Sequence, residues 1–171
     1  FPEAPQLPLK CEPETVECGH FIRKRRIFSK EELDVMKKQS TKHSMTISAL
    51  LMSAYGHVLQ FYSGMDAFTV NLTLFNRPMF HPDIEKLYGD FTTSILLDFN
   101  MSGEDFWGES KKVQQTLSKA LEYRIYDGIH FSKDVMRKFR YPTTKALMPI
   151  VFTSLLFEQD IWDDVNRLGE V

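Results

Sequence analysis

Phe68-Thr69-Val70-Asn71-Leu72-Thr73-Leu74, within the run Ala67–Phe75, alternates apolar and polar side chains at every position. A period of two sends Phe68, Val70, Leu72 and Leu74 to one side and Thr69, Asn71 and Thr73 to the other, the pattern of a strand with one buried face. It is the clearest strand in the chain. Asn71 and Thr73 then either meet solvent or line a cleft, and position alone leaves both open.

Upstream of this strand the spacing changes to that of helices. Ser29-Lys30-Glu31-Glu32 reads as a capping box before an amphipathic helix ending near His43. Thr46 caps a second, more apolar helix, which Gly64 can terminate in the left-handed conformation. The apolar stretch Ile47–Tyr62 contains Ser48, Ser53, His57 and Gln60 and is short for a membrane span, so it reads as a buried helix with His57 packed in the core. Before these helices, His20–Phe28 is a short strand candidate. Its basic run Arg23-Lys24-Arg25-Arg26 reads as a charged edge that discourages edge-to-edge pairing, against the other reading of a nucleic-acid patch. Residues Phe1–Gly19 hold Pro2, Pro5, Pro8 and Pro13 without periodicity, which predicts an extended lead-in, with the folded unit over 20–171.

Downstream, Asn76–Asp90 contains Pro78 and Pro82 and reads as a structured loop with a helical turn at Asp83–Leu87. Phe91–Phe99 predicts a second strand. Ser102–Arg124 returns to helical spacing, with Phe106, Val113, Leu117 and Leu121 on one face, and a short helix is expected over Lys133–Phe139. Met148–Leu156 is nearly continuous in apolar residues, which predicts a last strand buried on both faces. Strands interleaved with helices without regular alternation give an α+β class, with a mixed open sheet covered by helices.

Composition narrows the function classes. At 171 residues, 43% hydrophobic and 26% charged, the chain suits one core-bearing unit. A net charge of −2 gives no global reason to expect nucleic acid or an anionic membrane as partner. Cys11 and Cys18 have no second pair to complete a tetrahedral zinc site and read as free thiols, and the opening is unlike a signal peptide, so the cytoplasm is expected. None of the 5 histidines forms a metal-binding pair at helical or strand spacing, and no Gly-rich phosphate loop or nucleophile elbow is present. No metal is expected.

Three segments place polar groups inside β-rich apolar runs: NLTLFNR at Asn71–Arg77, LYGDFTTSILLDFN at Leu87–Asn100 and MPIVFTSLL at Met148–Leu156. A hydroxyl such as that of Thr153 within Val151–Leu155 needs a partner if buried, since leaving it unsatisfied costs about 1–3 kcal/mol. A neighbouring backbone carbonyl would serve. Asp90, between Gly89 and Phe91, stands at the mouth of a strand, where an Asx turn is the structural alternative to a binding role.

In order and wording these segments resemble the heterocyclization domains of nonribosomal peptide synthetases, variants of condensation domains that make thiazoline and oxazoline rings. The resemblance runs from about Pro5 to the C-terminus and rests most firmly on GDFT at Gly89–Thr92 and PIVFTS at Pro149–Ser154. It implies a chloramphenicol-acetyltransferase-like lobe, the C-terminal one of two. It leads us to expect that the first lobe, with its paired aspartates, is missing, and that the chain stops before a TPQVxxD-like segment with its aspartate.

By the same resemblance, the threonine of FTS is Thr153, expected to act in dehydration with that aspartate, beside Ser154. Asn71, Thr73, Asn76, Asp90 and Ser154 are expected to contact substrate, with Asn71 bonding a carbonyl or amide. Arg77 is expected to fix its loop through a carboxylate, and Gly89 to be structural. The implied partners are the N-terminal lobe, upstream and downstream peptidyl carrier proteins whose phosphopantetheine arms enter a tunnel between the lobes, and an adenylation domain. No cofactor is expected on the chain itself, and the isolated fragment is expected to be inactive. Two other classes remain open: a non-catalytic docking lobe for carrier proteins, and a soluble acetyltransferase-like enzyme, which would want a catalytic HHxxxD histidine that this sequence lacks.

Overall fold

A computed structural model describes residues 2–17, 19–77, 80–101, 103, 105–140 and 146–154. Helices α1 (Lys30–Lys42) and α2 (Ile47–Ser63) precede strand β1 (Ala67–Phe75). Strand β2 (Thr92–Asn100), helices α3 (Phe106–Glu122) and α4 (Gly128–Phe139), and strand β3 (Val151–Thr153) follow. The strands form a mixed open sheet in the order β2-β1-β3. β1 pairs antiparallel with β2, from Ala67 against Asn100 to Phe75 against Thr92. It pairs in parallel with β3 from Asn71 against Val151 to Thr73 against Thr153. This is the α+β class expected.

The local signals explain the helix boundaries. Ser29 and Glu32 close the capping box of α1 on each other's backbone N–H groups. Thr46 Oγ1 accepts from the Ala49 N–H at the start of α2, and Gly64, at φ 67°, ends it in the left-handed region. The apolar face of β1 supplies Phe68, Val70 and Leu72 to a core completed by Met52 and Leu59 of α2, Ile95, Leu97 and Phe99 of β2, and Val113 and Leu117 of α3. Phe68 and Phe99 stack at 5.2 Å between ring centroids. Gly56 is what lets α2 lie on this layer: a Cβ there would stand 2.7 Å from two Phe99 ring carbons.

Four expectations are corrected. His20–Phe28 is not a strand; it runs exposed, with no neighbouring strand among the described residues, and Arg26 pairs with Glu32 at 2.8 Å. A short run of β-forming residues makes no strand without a neighbouring edge to pair with. Helix α4 begins at Gly128, well before Lys133, because Asp127 caps it by accepting from the His130 N–H at 2.9 Å. The last strand is shorter than expected, and Val151 and Thr153 are exposed rather than buried; Leu155 and Leu156 lie outside the described residues. One face only is packed: Phe152 lies half-buried against the core while Val151 and Thr153 point away from it. His57 is not enclosed in the core: its Nε2 stands 3.0 Å from Oε2 of the buried Glu109, and its ring stacks on Phe106.

The first residues are bound to the sheet. The Thr69 N–H donates to the Glu3 carbonyl at 2.9 Å, and Thr69 Oγ1 donates to the Pro2 carbonyl at 2.7 Å. The next amide on that edge of β1, of Asn71, donates to the Ile150 carbonyl at 2.9 Å. One edge of β1 is therefore shared between the N-terminal segment and the approach to β3.

Candidate functional site

Where β3 ends at Thr153, β1 continues through Leu74 and Phe75, and a cavity of about 320 Å³ opens beside that step. Met52, Leu72, Leu74, Phe75, Leu117 and Leu121 form its apolar wall, and its polar groups are the hydroxyls of Ser48, Thr73, Thr153 and Ser154. No ionisable side chain lines it among the described residues.

The hydroxyls occur in two pairs. Parallel register sets Thr73 opposite Thr153, and Thr153 Oγ1 donates to Thr73 Oγ1 at 3.0 Å. Ser154 Oγ and Ser48 Oγ lie 3.1 Å apart, and either can donate. Thr153 is exposed, so its bond to Thr73 orients the side chain rather than rescuing a buried group. With its proton engaged, Thr153 presents lone pairs outward, while the Thr73 hydroxyl keeps a proton to give. The pair can fix an oxygen or a water in one place. An aliphatic hydroxyl does not titrate near neutral pH, so net proton delivery requires a group from outside this lining.

The other expected site residues lie apart from this cavity. Asn71 shares the Thr73 face, but its Oδ1 is closed off from solvent and has no hydrogen-bond partner among the described residues. Asn76 is engaged with Arg124 in both directions: its Nδ2 donates to the Arg124 carbonyl at 3.3 Å, and its Oδ1 accepts from Nε at 3.1 Å. Arg77 lies 4.5 Å above the Phe91 ring and reaches the Ile84 carbonyl, which ties together the loop between β1 and β2. Asp90 makes the Asx turn: Oδ1 accepts from the Thr92 N–H at 2.8 Å, and the bonds from Thr92 hold its carboxyl below the usual aspartate range. Gly89 is exposed beside the same ring, with 3.4 Å between a notional Cβ and Phe91.

The geometry thus gathers Thr73, Thr153 and Ser154, and assigns Asn76, Arg77, Gly89 and Asp90 to the architecture of one loop. Ser48 was not anticipated at the site. The available signal was a serine in an otherwise apolar helix, two residues past the N-cap; nothing in the sequence says that it faces a segment 106 positions away.

A family model described as "Condensation domain" matches residues 3–167. The chain belongs to the condensation-domain family. Condensation-domain relatives include bacitracin synthase 1 of Bacillus licheniformis, 41% identical over 162 residues that cover 92% of this chain and 3% of that protein. Phenyloxazoline synthase MbtB of Mycobacterium tuberculosis (strain ATCC 25618 / H37Rv) is 30% identical over 163 residues, 95% of this chain and 11% of that protein. Among solved structures, the EpoB cyclization-docking bidomain of the nonribosomal peptide synthetase from Sorangium cellulosum superposes with a TM-score of 0.78 at 28% identity, over 92% of this chain and 32% of that one. The condensation-domain chain therefore spans a small part of each curated relative and about a third of the bidomain. Among the described residues, no helix is long and apolar enough to cross a membrane.

Proposed function

We propose that this condensation-domain lobe is part of a heterocyclization domain, which joins an acyl thioester to a carrier-bound cysteine, serine or threonine and cyclodehydrates the product to a thiazoline or oxazoline. The observation that carries this is the meeting of the Thr153–Thr73 hydroxyl pair with Ser154 at the mouth of an apolar cavity, within the PIVFTS segment whose wording resembles heterocyclization domains. Two similar proteins, a phenyloxazoline synthase and a cyclization-docking bidomain, support the same reading.

The chemistry runs in two stages. The amine of the carrier-bound residue attacks the acyl thioester, the C–S bond breaks, and the phosphopantetheine thiol of the donor carrier leaves. The side-chain S–H or O–H then adds across the new amide carbonyl. The resulting hydroxyl departs as water while the nitrogen loses its proton and forms the C=N bond. The second stage needs a proton delivered to a departing oxygen and one taken from nitrogen. Thr153, steadied by Thr73, would hold that oxygen or a relaying water, and a carboxylate from outside the cavity lining would exchange the proton. Holding both thioesters in one tunnel would supply much of the acceleration by proximity.

This assigns the N-terminal lobe, two flanking carrier proteins and an adenylation domain as working partners, and phosphopantetheine as a substrate tether. The absence of ionisable groups from the described lining favours inactivity of the isolated lobe, and turnover by it would refute that. It is also the observation in favour of the second reading, a non-catalytic docking lobe.

The test is an assay of the complete two-lobed domain with loaded donor and acceptor carriers, read by intact mass of the product. Wild type should give a product one water lighter than the amide. Thr153→Ala should give mainly amide, with cyclisation slowed by about 10²-fold or more, the usual scale for a group that assists proton transfer. Amide alone from wild type would mean simple condensation, and no product from wild type would favour the docking lobe.

A further inference from the structure

We propose that Ser48 is a positioning residue for the Thr153 site, holding the end of β3 in register with β1 through its hydrogen bond to Ser154. The proposal rests on the heterocyclization reading for its catalytic consequence, and on geometry alone for its structural one.

β3 is three residues long and lies at the edge of the sheet, with Val151 and Thr153 exposed. Its pairing with β1 extends only from Asn71 to Thr73. Such a short ladder fixes strand position weakly by itself; Ile150 and Phe152, half-buried against the core, with Phe152 5.7 Å from Tyr55 between ring centroids, hold its inner side but leave the Thr153 end to side-chain bonds. Immediately after it, Ser154 meets Ser48, which is 2% exposed on the first turn of α2. That turn is itself anchored: Gln114 Oε1 on α3 accepts from both the N–H and Oγ1 of Thr46, at 2.8 and 2.9 Å. A chain of contacts thus runs from α3 through the cap of α2 to the residue next to Thr153. The nearest contact on the other side is the Thr153–Thr73 bond itself.

A buried serine has other uses, and α2 carries an internal control. Ser53, also fully buried, donates to the Ala49 carbonyl of its own helix at 2.7 Å and touches no part of the site. Ser48 instead bonds across the fold. Removing its hydroxyl leaves Ser154 without that tether, so β3 can shift and carry Thr153 away from the oxygen it would hold. Amide formation, which does not need Thr153, would proceed.

The experiment compares Ser48→Ala, Ser154→Ala, the double variant and Ser53→Ala in the complete domain, measuring amide and cyclised product separately. Ser48→Ala and Ser154→Ala should each lower the ratio of cyclised product to amide by about fivefold, the rate equivalent of one net hydrogen bond. The double variant should fall no further than either single one. Ser53→Ala should leave the ratio unchanged. Equal losses of amide and cyclised product in Ser48→Ala, or additive losses in the double variant, would overturn the proposal. Hydrogen exchange at the Asn71 amide, which donates to Ile150 beside β3, reads strand position without turnover. It should quicken in Ser48→Ala and not in Ser53→Ala, and unchanged exchange would overturn the proposal whatever the products show. Quickened exchange in a domain whose wild type makes only amide would sink the heterocyclization reading and leave the positioning role standing.

Discussion

The two flanks of β1 are built to different standards. On one side β2 pairs along all of β1, and its far side is closed by the start of α4. Thr93 Oγ1 donates to Asp127, and Gly128 lies so close that a Cβ would stand 2.8 Å from Ser94 Oγ and 3.2 Å from the Ser94 carbonyl. On the other side β3 is short and exposed, with side-chain bonds from Thr153 to Thr73 and between Ser154 and Ser48. Stability is concentrated where burial is, and the hydroxyls that could act on a substrate sit where burial is thin. A reacting group must be reachable, so the flank that carries it gives up the packing that would secure it.

The contrast breaks most visibly in the core. Phe99→Ala should lose about 3–5 kcal/mol of unfolding free energy, because a 1% exposed ring stacked on Phe68 leaves a cavity behind it. Denaturant titration measures it, and a loss below about 1 kcal/mol would mean that the β2 flank is far looser than its burial indicates. Gly56→Ala should cost about 1–3 kcal/mol by forcing α2 off the Phe99 ring; a gain in helix stability that offsets the clash would show instead as an unchanged midpoint.

Next in size is the anchor of α4. Asp127→Ala should cost about 1 kcal/mol as a lost N-cap. Burial raises the Asp127 carboxyl, but the bonds from Thr93 and His130 outweigh it, so its folded pKa lies below its ordinary value. A depressed carboxylate stabilises above its unfolded pKa of about 3.9 and loses that contribution as pH falls through the folded value. Melting temperature between pH 5 and 3 should therefore fall more steeply in wild type than in Asp127→Asn, and parallel curves would contradict the assignment.

The smallest effect on stability is expected at the site. Thr153→Ala should change unfolding free energy by less than about 0.5 kcal/mol, as for an exposed surface substitution, while on the proposed heterocyclization reading cyclisation falls by about 10²-fold or more. A large loss of stability there would erase the distinction between the flanks.

Much of the first flank was legible in the order of residues. The alternation of Phe68 to Leu74, the Ser29–Glu32 box, Thr46 and Gly64 each specify a conformation through contacts within a few residues, and the structure places β1, α1 and α2 where those signals do. Local signals misled where the outcome depended on a neighbour. His20–Phe28 has the look of a strand and, among the described residues, no strand beside it, and the expected start of α4 at Lys133 missed the cap at Asp127. At the site, wording singled out Thr73, Thr153 and Ser154 together with Asn76 and Asp90; the structure shows the last two engaged with Arg124 and Thr92, and Arg77, expected to fix its loop, lies over Phe91 and reaches the Ile84 carbonyl.

By itself the sequence determined the types of α1, α2, β1, β2 and α3, the apolar face of β1 and the family, because periodicity, caps and wording are properties of neighbours along the chain. Only the tertiary structure decided that β3 is an exposed edge, that Thr153 rests on Thr73, and that Ser48 reaches Ser154. Those facts depend on the parallel register of two strands some eighty residues apart and on where α2 crosses them, and side-chain hydrogen bonds at such separations leave no local trace.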